Sequence, residues 1–148
     1  MPEQKKIVII HGPNLNMLGK REPGVYGTTT LNEINGMLER QASEQGLQVE
    51  TFQSNHEGAL VDKIQEAAGV CSGMIINPAA YTHTSVAIKD ALLLLDIPVI
   101  EVHISNVYKR EPFRHVSLMS DVVTGKIVGL GPHGYQLALD ALVKMIYK

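Results

Sequence analysis

Glu101 and His103 form the pair of residues best suited to acid–base chemistry in this sequence. They stand two positions apart in a β-branched run, and residues i and i+2 of a strand share one face. A carboxylate on that face can fix the tautomer of the imidazole and leave its second nitrogen to exchange a proton with a ligand. A hydrogen-bonded core histidine is the alternative. The position of His103 at the end of a predicted strand favours a general acid or base.

Tyr26 is the second candidate, in a long segment over residues 15–29. Loops longer than about twelve residues in compact domains are usually functional or disordered. To act as a base, the phenol needs roughly 4 kcal/mol of preferential stabilisation of its anion. Arg21 and Arg110 could supply it. The surrounding glycines suit a mobile lid at about 18–29, whereas an anchoring aromatic in a surface loop is the alternative interpretation.

The elements that must position these residues alternate between short apolar runs and helical patterns. The predicted strands are Ile7–Ile10, Leu47–Ser54, Met74–Ile76, Pro98–Ile104 and Lys126–Leu130. The predicted helices run from a capping box at Thr30 and Glu33 to Gly46, over Leu60–Ala68, Ser85–Leu95 and Gln136–Tyr147. This order predicts an α/β fold, a single-domain flavodoxin-like three-layer sandwich with a five-stranded parallel sheet.

Three polar clusters directly follow predicted strands: residues 11–16, 77–85 and 103–106. Ligands of such sheets bind beyond the carboxyl ends of the strands, where the strand order reverses. A turn alone does not require so many functional groups. The clusters therefore predict a binding or catalytic site at this edge.

The composition narrows the classes of partner. The chain has 148 residues, is 45% hydrophobic and carries a net charge of −2. One domain over residues 1–148 is expected, with neither nucleic acid nor a membrane as partner. The single Cys71 excludes an intrachain disulfide, and we expect it to be a buried apolar residue. The amino terminus resembles neither a signal peptide nor a membrane span, which favours a cytoplasmic location.

Two candidate phosphate-binding motifs are rejected. Gly12 and residues 19–21 depart from a P-loop in spacing and lack its Ser or Thr. Residues 129–134 match a dinucleotide-binding glycine pattern, but in a chain of 148 residues only 14 follow Gly134, too few to reach the usual acidic residue. A tight turn with close helix packing explains these glycines better.

Two other kinds of function stay open. A flavodoxin-like module could bind flavin or another small anion without catalysis. His11, His83 and His103 could converge on a metal and support a hydrolase, although none of the histidines has a standard ligand spacing. Neither alternative is favoured, and we expect no metal and no cofactor.

Long motifs of the sequence resemble the type II 3-dehydroquinate dehydratases over nearly the whole chain. The segments that carry the resemblance are His11-Gly12-Pro13-Asn14-Leu15-Asn16, Leu18-Gly19-Lys20-Arg21-Glu22-Pro23, Val25-Tyr26-Gly27, Asn77 to Ser85, Glu101 to Asn106, Phe113-Arg114-His115 and Gly125 to Gly131. Ala79 is a local difference, because many members have glycine there. The resemblance implies anti elimination of water from 3-dehydroquinate, through an enolate, to give 3-dehydroshikimate. This is a step of the shikimate pathway to aromatic amino acids, and breakdown of quinate uses the same chemistry.

The resemblance also implies roles for individual residues. Tyr26 would be the proton acceptor, and Arg21 would lower its pKa and close the site. Asn14 would hold a water against the enolate oxygen. His103 would be the proton donor to the departing hydroxyl, oriented by Glu101.

The implied substrate-binding residues hold two parts of 3-dehydroquinate. Asn77 and the backbone N–H groups of Ile104 and Ser105 would bind the carboxylate. His83 and Arg114 would bind the ring hydroxyls.

Two further residues have implied supporting roles. Arg110 would lie near Tyr26 and assist Arg21. The family resemblance implies a homo-oligomer, a dodecamer built as a tetramer of trimers, in which Asp90 would reach the site of a neighbouring subunit.

Overall fold

The computed structural model describes residues 4–20, 24 and 27–147. Arg21 and Tyr26, and with them part of the predicted lid, lie outside these residues. The strands are β1 (Lys6–His11), β2 (Gln48–Gln53), β3 (Gly73–Asn77), β4 (Val99–His103) and β5 (Gly125–Val128). All four neighbouring pairs are parallel, in the order β2-β1-β3-β4-β5. This is the strand order of flavodoxin-like folds, so the predicted sheet is confirmed.

Among the residues that the structure describes, four helices cover the sheet: α1 (Leu31–Glu44), α2 (Glu57–Ala67), α3 (Val86–Leu93) and α4 (His133–Ile146). Helices α1 and α4 pack on one face, and α2 and α3 pack on the other. Short 3-10 turns follow β1, β3 and β4, at Leu15–Met17, Ala79–His83, Val107–Lys109 and Pro112–Arg114. Within the described ranges, no helix is both long and apolar enough to cross a membrane.

The ends of α1 follow from its sequence. Thr30 caps the first turn, where its hydroxyl accepts a hydrogen bond from the Glu33 N–H at 3.2 Å. Gly46, with a φ of 73°, lets the chain leave the helix in a left-handed conformation. The predicted capping residue and the predicted terminator are both confirmed.

Helix α3 is shorter than predicted at both ends. Ser85 lies outside the helix as its cap, with its hydroxyl accepting from the Ile88 N–H at 2.9 Å. At the other end the N–H groups of Leu94 and Leu95 donate to carbonyls three residues back, at 3.1 Å each, so the last turn tightens. The apolar run continues to Leu95, so periodicity alone gave no signal for this end.

The glycine-rich segment after β5 explains two further differences. Strand β5 ends at Val128 instead of Leu130, because Gly129 has a φ of 86° and turns the chain against Asn106. Helix α4 begins at His133, three residues before its predicted start. It includes Gly134, where a Cβ would stand 3.3 Å from the Ile127 side chain. A tight turn at Gly129 and close packing of the helix on the sheet at Gly134 thus account for these two glycines.

Strand parity assigns each side chain to one face of the sheet. Ile7 and Ile9 of β1 pack with α1 and α4, whereas Val8 and Ile10 pack with α2 and α3. The same alternation places His11 and Asn77 on the α1/α4 face. It places Glu101 and His103, which alternate with Ile100 and Val102, on the α2/α3 face.

Cys71 is buried against the core under the α2/α3 face, and burial raises the pKa of its thiol. This confirms its predicted role as a small apolar residue.

Candidate active site

A cavity opens beyond the carboxyl ends of β1, β3 and β4, at the reversal of strand order between β1 and β3. The predicted site residues that line it are Asn14, Asn77, His83, His103, Ile104, Ser105, Arg110 and Arg114. Glu101 lies directly behind His103. Asp90 is exposed on α3 and does not line this cavity. Arg21 and Tyr26 fall outside the described residues.

Two residues that line the cavity have backbone conformations that non-glycine residues rarely adopt. Among the described residues, Asn14 and Ala79 are the non-glycine positions with positive φ, at 68° and 52°, and both line the cavity. Such conformations persist only where surrounding contacts enforce them, and they concentrate at functional sites. One contact here is the Gly12 N–H, which donates to the Asn77 carbonyl at 2.8 Å. A Cβ on Gly12 would lie 2.5 Å from the Pro78 oxygen, so only glycine allows the two strand ends this close.

Glu101 is fully buried and hydrogen-bonded to His103. Its Oε2 accepts from the His103 Nε2, from the Thr82 hydroxyl at 2.8 Å and from the Ser117 hydroxyl at 2.9 Å. Burial acts to raise the pKa of Glu101, but the hydrogen bond and the charge of His103, together with the hydrogen bond from Thr82, outweigh it and the pKa lies below its ordinary value. The ionised carboxylate thus fixes the proton of His103 on Nε2. Its Nδ1 is then the ring nitrogen available to a ligand.

Asn77 is held by a buried hydrogen-bond chain behind the cavity. Its Oδ1 accepts from the Ala79 N–H, and its Nδ2 donates to the Tyr135 hydroxyl, each at 3.0 Å. The Tyr135 hydroxyl also contacts the His11 Nδ1 at 3.0 Å, and the His11 Nε2 contacts Asn35 Oδ1 at 2.9 Å. Burial lowers the pKa of His11 to about 4, although the bond to Asn35 opposes it, so the ring is neutral near pH 7.

The hydrogen bonds of His11 test the hypothesis that His11, His83 and His103 converge on a metal. Both ring nitrogens of His11 already have hydrogen-bond partners, and the ring faces α1 and α4. His11 therefore does not converge with His83 and His103, contrary to that hypothesis. Nor do three His, Cys, Asp or Glu side chains gather into a metal-binding group anywhere in the described part of the chain.

One wall of the cavity is cationic. Arg110 and Arg114 flank Glu111, with Nε to carboxylate distances of 3.9 Å and 3.3 Å. The Glu111 backbone N–H and Arg114 hold the pKa of the Glu111 carboxyl below its ordinary range. Beside them the His83 Nδ1 donates to the Val116 carbonyl at 2.7 Å, so its Nε2 is the ring nitrogen left for a ligand.

Several residues that organise the site were not identified from the sequence. Thr82 and Ser117 hold Glu101, and Tyr135 and Asn35 complete the chain behind Asn77. Thr82 stands inside a polar cluster, which was an available signal. Tyr135 and Asn35 sit on helices, and nothing in their local sequence points to a strand end.

The fold and the cavity define a flavodoxin-like α/β protein in which a carboxylate–histidine pair and a cationic wall share one cavity. Comparison with known proteins agrees with this description. The profile of the family described as "Dehydroquinase class II" matches residues 5–143. The chain therefore belongs to the class II dehydroquinase family.

Relatives of known name align over most of both chains. The chain is 58% identical to a catabolic 3-dehydroquinase of Penicillium rubens, covering 92% of this chain and 88% of the relative. It is 56% identical to a 3-dehydroquinate dehydratase of Roseiflexus castenholzii, covering 93% and 88%. The crystal structure of the type II dehydroquinase from Propionibacterium acnes superposes with a TM-score of 0.92 at 46% identity, covering 97% of this chain and 99% of that one.

Proposed function

We propose that this chain is a hydro-lyase that dehydrates 3-dehydroquinate to 3-dehydroshikimate in the shikimate pathway. The observation that carries the proposal is the family match, which spans the strand ends lining the cavity. Relatives that align over most of their length bear this activity in their names. The His103–Glu101 pair and the cationic wall supply the proton donor and the anion affinity that such a reaction requires.

The first step of the proposed reaction removes the proton beside the substrate ketone. Tyr26 is the proposed base, and Arg21 and Arg110 stabilise its phenolate. Arg110 lines the cavity, which supports its part in this step. We further propose that residues 18–29 act as a lid of a single dehydroquinase-like domain, bringing Tyr26 and Arg21 over the substrate and excluding water.

The second step expels the hydroxyl from the enolate. Asn14, at the end of β1, holds a water against the enolate oxygen. For this step His103 carries a proton on both ring nitrogens; it gives the Nδ1 proton to the departing hydroxyl, which leaves as water, while Glu101 keeps the Nε2 proton and the ring in place. A base on the lid and an acid on the strand ends lie on opposite sides of the substrate, as an anti elimination requires.

Binding of the substrate is divided between two walls. Asn77 and the backbone N–H groups of Ile104 and Ser105 hold the carboxylate, and His83 and Arg114 hold the ring hydroxyls. All five residues line one cavity, which supports a shared part in binding one substrate.

The proposal includes a homo-oligomer, a dodecamer built from trimers, in which Asp90 contributes to a neighbouring site. Asp90 is exposed on α3, and Val86, Leu93 and Leu94 are exposed by 59%, 58% and 66% at helical spacing from it. An apolar face of this kind on a surface helix favours contact with another copy. Sedimentation would test this, since a monomer would remove Asp90 from the site. A cytoplasmic location completes the proposal, and cell fractionation would test it.

The decisive experiment is turnover of 3-dehydroquinate by purified protein freed of metal and nucleotide. An enone absorbing in the ultraviolet should appear, and chelators should not slow its formation. No product from correctly assembled protein would refute the proposal. Inactivation by borohydride in the presence of substrate would also contradict it, because that result reports an imine. A yellow protein with a retained flavin would favour the binding-module alternative.

Two variants test the proposed division of roles. Tyr26→Phe should lower kcat by about 10²–10⁴ while leaving ligand affinity nearly unchanged, because it removes the base alone. Arg114→Ala should mainly raise KM. A Tyr26→Phe enzyme that keeps most of its turnover would show that another group is the base.

A further inference from the structure

Tyr135 and His11 are buried titratable residues that the proposed mechanism does not use. Both are 0% exposed. Burying an unpaired hydroxyl or imidazole is unfavourable, yet here each polar atom of both side chains has a partner. The hydrogen bonds lead from the partly buried Asn35 on α1 to Asn77, which lines the cavity.

The donors and acceptors of this chain can be assigned in only one direction. Asn35 Oδ1 is an acceptor, so the His11 Nε2 carries the proton and the Nδ1 of the neutral ring accepts. The Tyr135 O–H must then donate to that Nδ1. Its oxygen is left to accept from the Asn77 Nδ2, and Asn77 Oδ1 accepts from the Ala79 N–H.

The direction of the chain decides what Asn77 presents to a ligand. The amide nitrogen of Asn77 has two hydrogens, and Tyr135 takes one of them. Because the Ala79 N–H holds Asn77 Oδ1, the amide cannot turn over, and its second N–H is the donor that it can offer the cavity. A reversed amide would offer an oxygen, which repels a carboxylate.

We infer that Tyr135 and His11 are positioning residues that fix the amide of Asn77 as a hydrogen-bond donor, selecting a carboxylate or another acceptor on the substrate. The nature of the ligand rests on the proposed function. The direction of the hydrogen bonds from Asn35 to Asn77 does not depend on the proposed function, and it can be measured without turnover.

The first test reads the tautomer of His11 directly. Magic-angle-spinning NMR of protein labelled with ¹⁵N-histidine, at pH 7.5, should show His11 protonated on Nε2 and unprotonated on Nδ1, with His11→Gln identifying the signal. Tyr135→Phe should shift the Nδ1 resonance and leave the Nε2 proton in place. An Nδ1-protonated His11 in the unmodified enzyme would overturn the inference, whether or not 3-dehydroquinate is turned over.

The second test is a double-mutant cycle of Tyr135→Phe with Asn77→Ala, assayed on 3-dehydroquinate. Tyr135→Phe should raise KM by about three- to tenfold and change kcat by less than about threefold, the range expected for one neutral hydrogen bond. With Asn77→Ala already present, it should change KM by less than about twofold, because the amide it positions is gone. Equal factors in both backgrounds would show a structural role only.

Matched variants separate this effect from loss of folding. Tyr147→Phe removes a phenolic hydroxyl far from the cavity, on a ring beside Lys5, and should leave KM unchanged. If Tyr135→Phe does not fold, Asn35 supplies the same test from the partly exposed end of the chain. Asn35→Asp keeps the hydrogen-bond acceptor for His11 and should preserve KM at pH 8. Asn35→Leu removes that acceptor and should raise KM when Asn77 is present, but not in the Asn77→Ala background. Equal KM values for these two variants would overturn the inference. No turnover by the unmodified enzyme would instead refute the proposed function.

Discussion

The buried imidazole of His11 should make the folded protein sensitive to mild acid. Burial, partly opposed by the hydrogen bond to Asn35, lowers the pKa of His11 from 6.5 to about 4. The unfolded chain therefore binds a proton near pH 6.5, whereas the folded chain resists it until about pH 4. The free energy of unfolding is unaffected above this range, falls as the pH drops below 6.5 and levels off below about 4.

The size of the effect follows from the two pKa values of His11. Their difference, 6.5 − 4 or 2.5 units, corresponds to about 3.4 kcal/mol at full protonation. About 1.4 kcal/mol should be lost by pH 5.5 and about 2.5 kcal/mol by pH 4.5. Carboxylates whose folded pKa is lowered, such as Glu101, stabilise the fold above their unfolded pKa of 4.5 and lose that contribution progressively from about one pH unit above this value downward. The imidazole therefore dominates the pH dependence from pH 6.5 to about 5.5, and the comparison with His11→Gln separates its contribution over the rest of the interval, down to about pH 4.5.

The assay is equilibrium unfolding in urea at several pH values in this interval, at one fixed protomer concentration because assembly contributes to stability. His11→Gln keeps a donor and an acceptor but cannot titrate, so its stability should depend less on pH than that of the unmodified protein. His133→Gln, which removes an exposed ring at the start of α4, is the matched control. A constant stability difference between His11→Gln and the unmodified protein across the interval would refute the reasoning. So would an equal loss of slope in the control.

Three further changes have defined outcomes. Glu101→Gln should lower kcat about 10–100-fold with little change in KM, because a neutral amide holds the His103 Nε2 proton less firmly; steady-state rates that move KM instead would contradict this role. Gly12→Ala should reduce the unfolding free energy by about 2 kcal/mol or more, because its Cβ would meet the Pro78 oxygen at 2.5 Å; an unchanged urea midpoint would show that the turn can yield. Ala79→Gly should raise the free energy of unfolding by about 0.5–1 kcal/mol, because relief of the backbone strain at a φ of 52° exceeds the added entropy of the unfolded chain. A lower melting temperature for the variant would mean that the alanine methyl packs favourably.

The sequence was most informative where a local pattern has one physical solution. A period of 3.6 residues with a capping threonine predicted α1, and alternation of β and α elements predicted a parallel sheet. Because parallel strands end at a common edge, the same reasoning predicted that Asn77 and His103 lie close together, and both line the cavity.

The sequence was least informative where distant segments decide the outcome. His11 belongs to a polar cluster at a strand end, but its buried ring contacts Tyr135, which is 124 positions later, and it does not line the cavity. Ser117 reaches Glu101 from a loop without regular structure, 16 positions away. No periodicity or spacing rule connects such pairs, because the contact exists only once the sheet and both helix layers have formed.

The central sheet separates the two tasks of the proposed active site. On the α1/α4 face, His11 and Tyr135 hold Asn77, which belongs to the proposed binding of the carboxylate. On the α2/α3 face, Thr82 and Ser117 hold Glu101 and, through it, the proposed acid His103. No described side-chain hydrogen bond joins the two networks, although β3 and β4 are neighbours in the sheet. Substitutions behind the first face should therefore act mainly on KM and those behind the second mainly on kcat, and variants taken from opposite faces should combine additively.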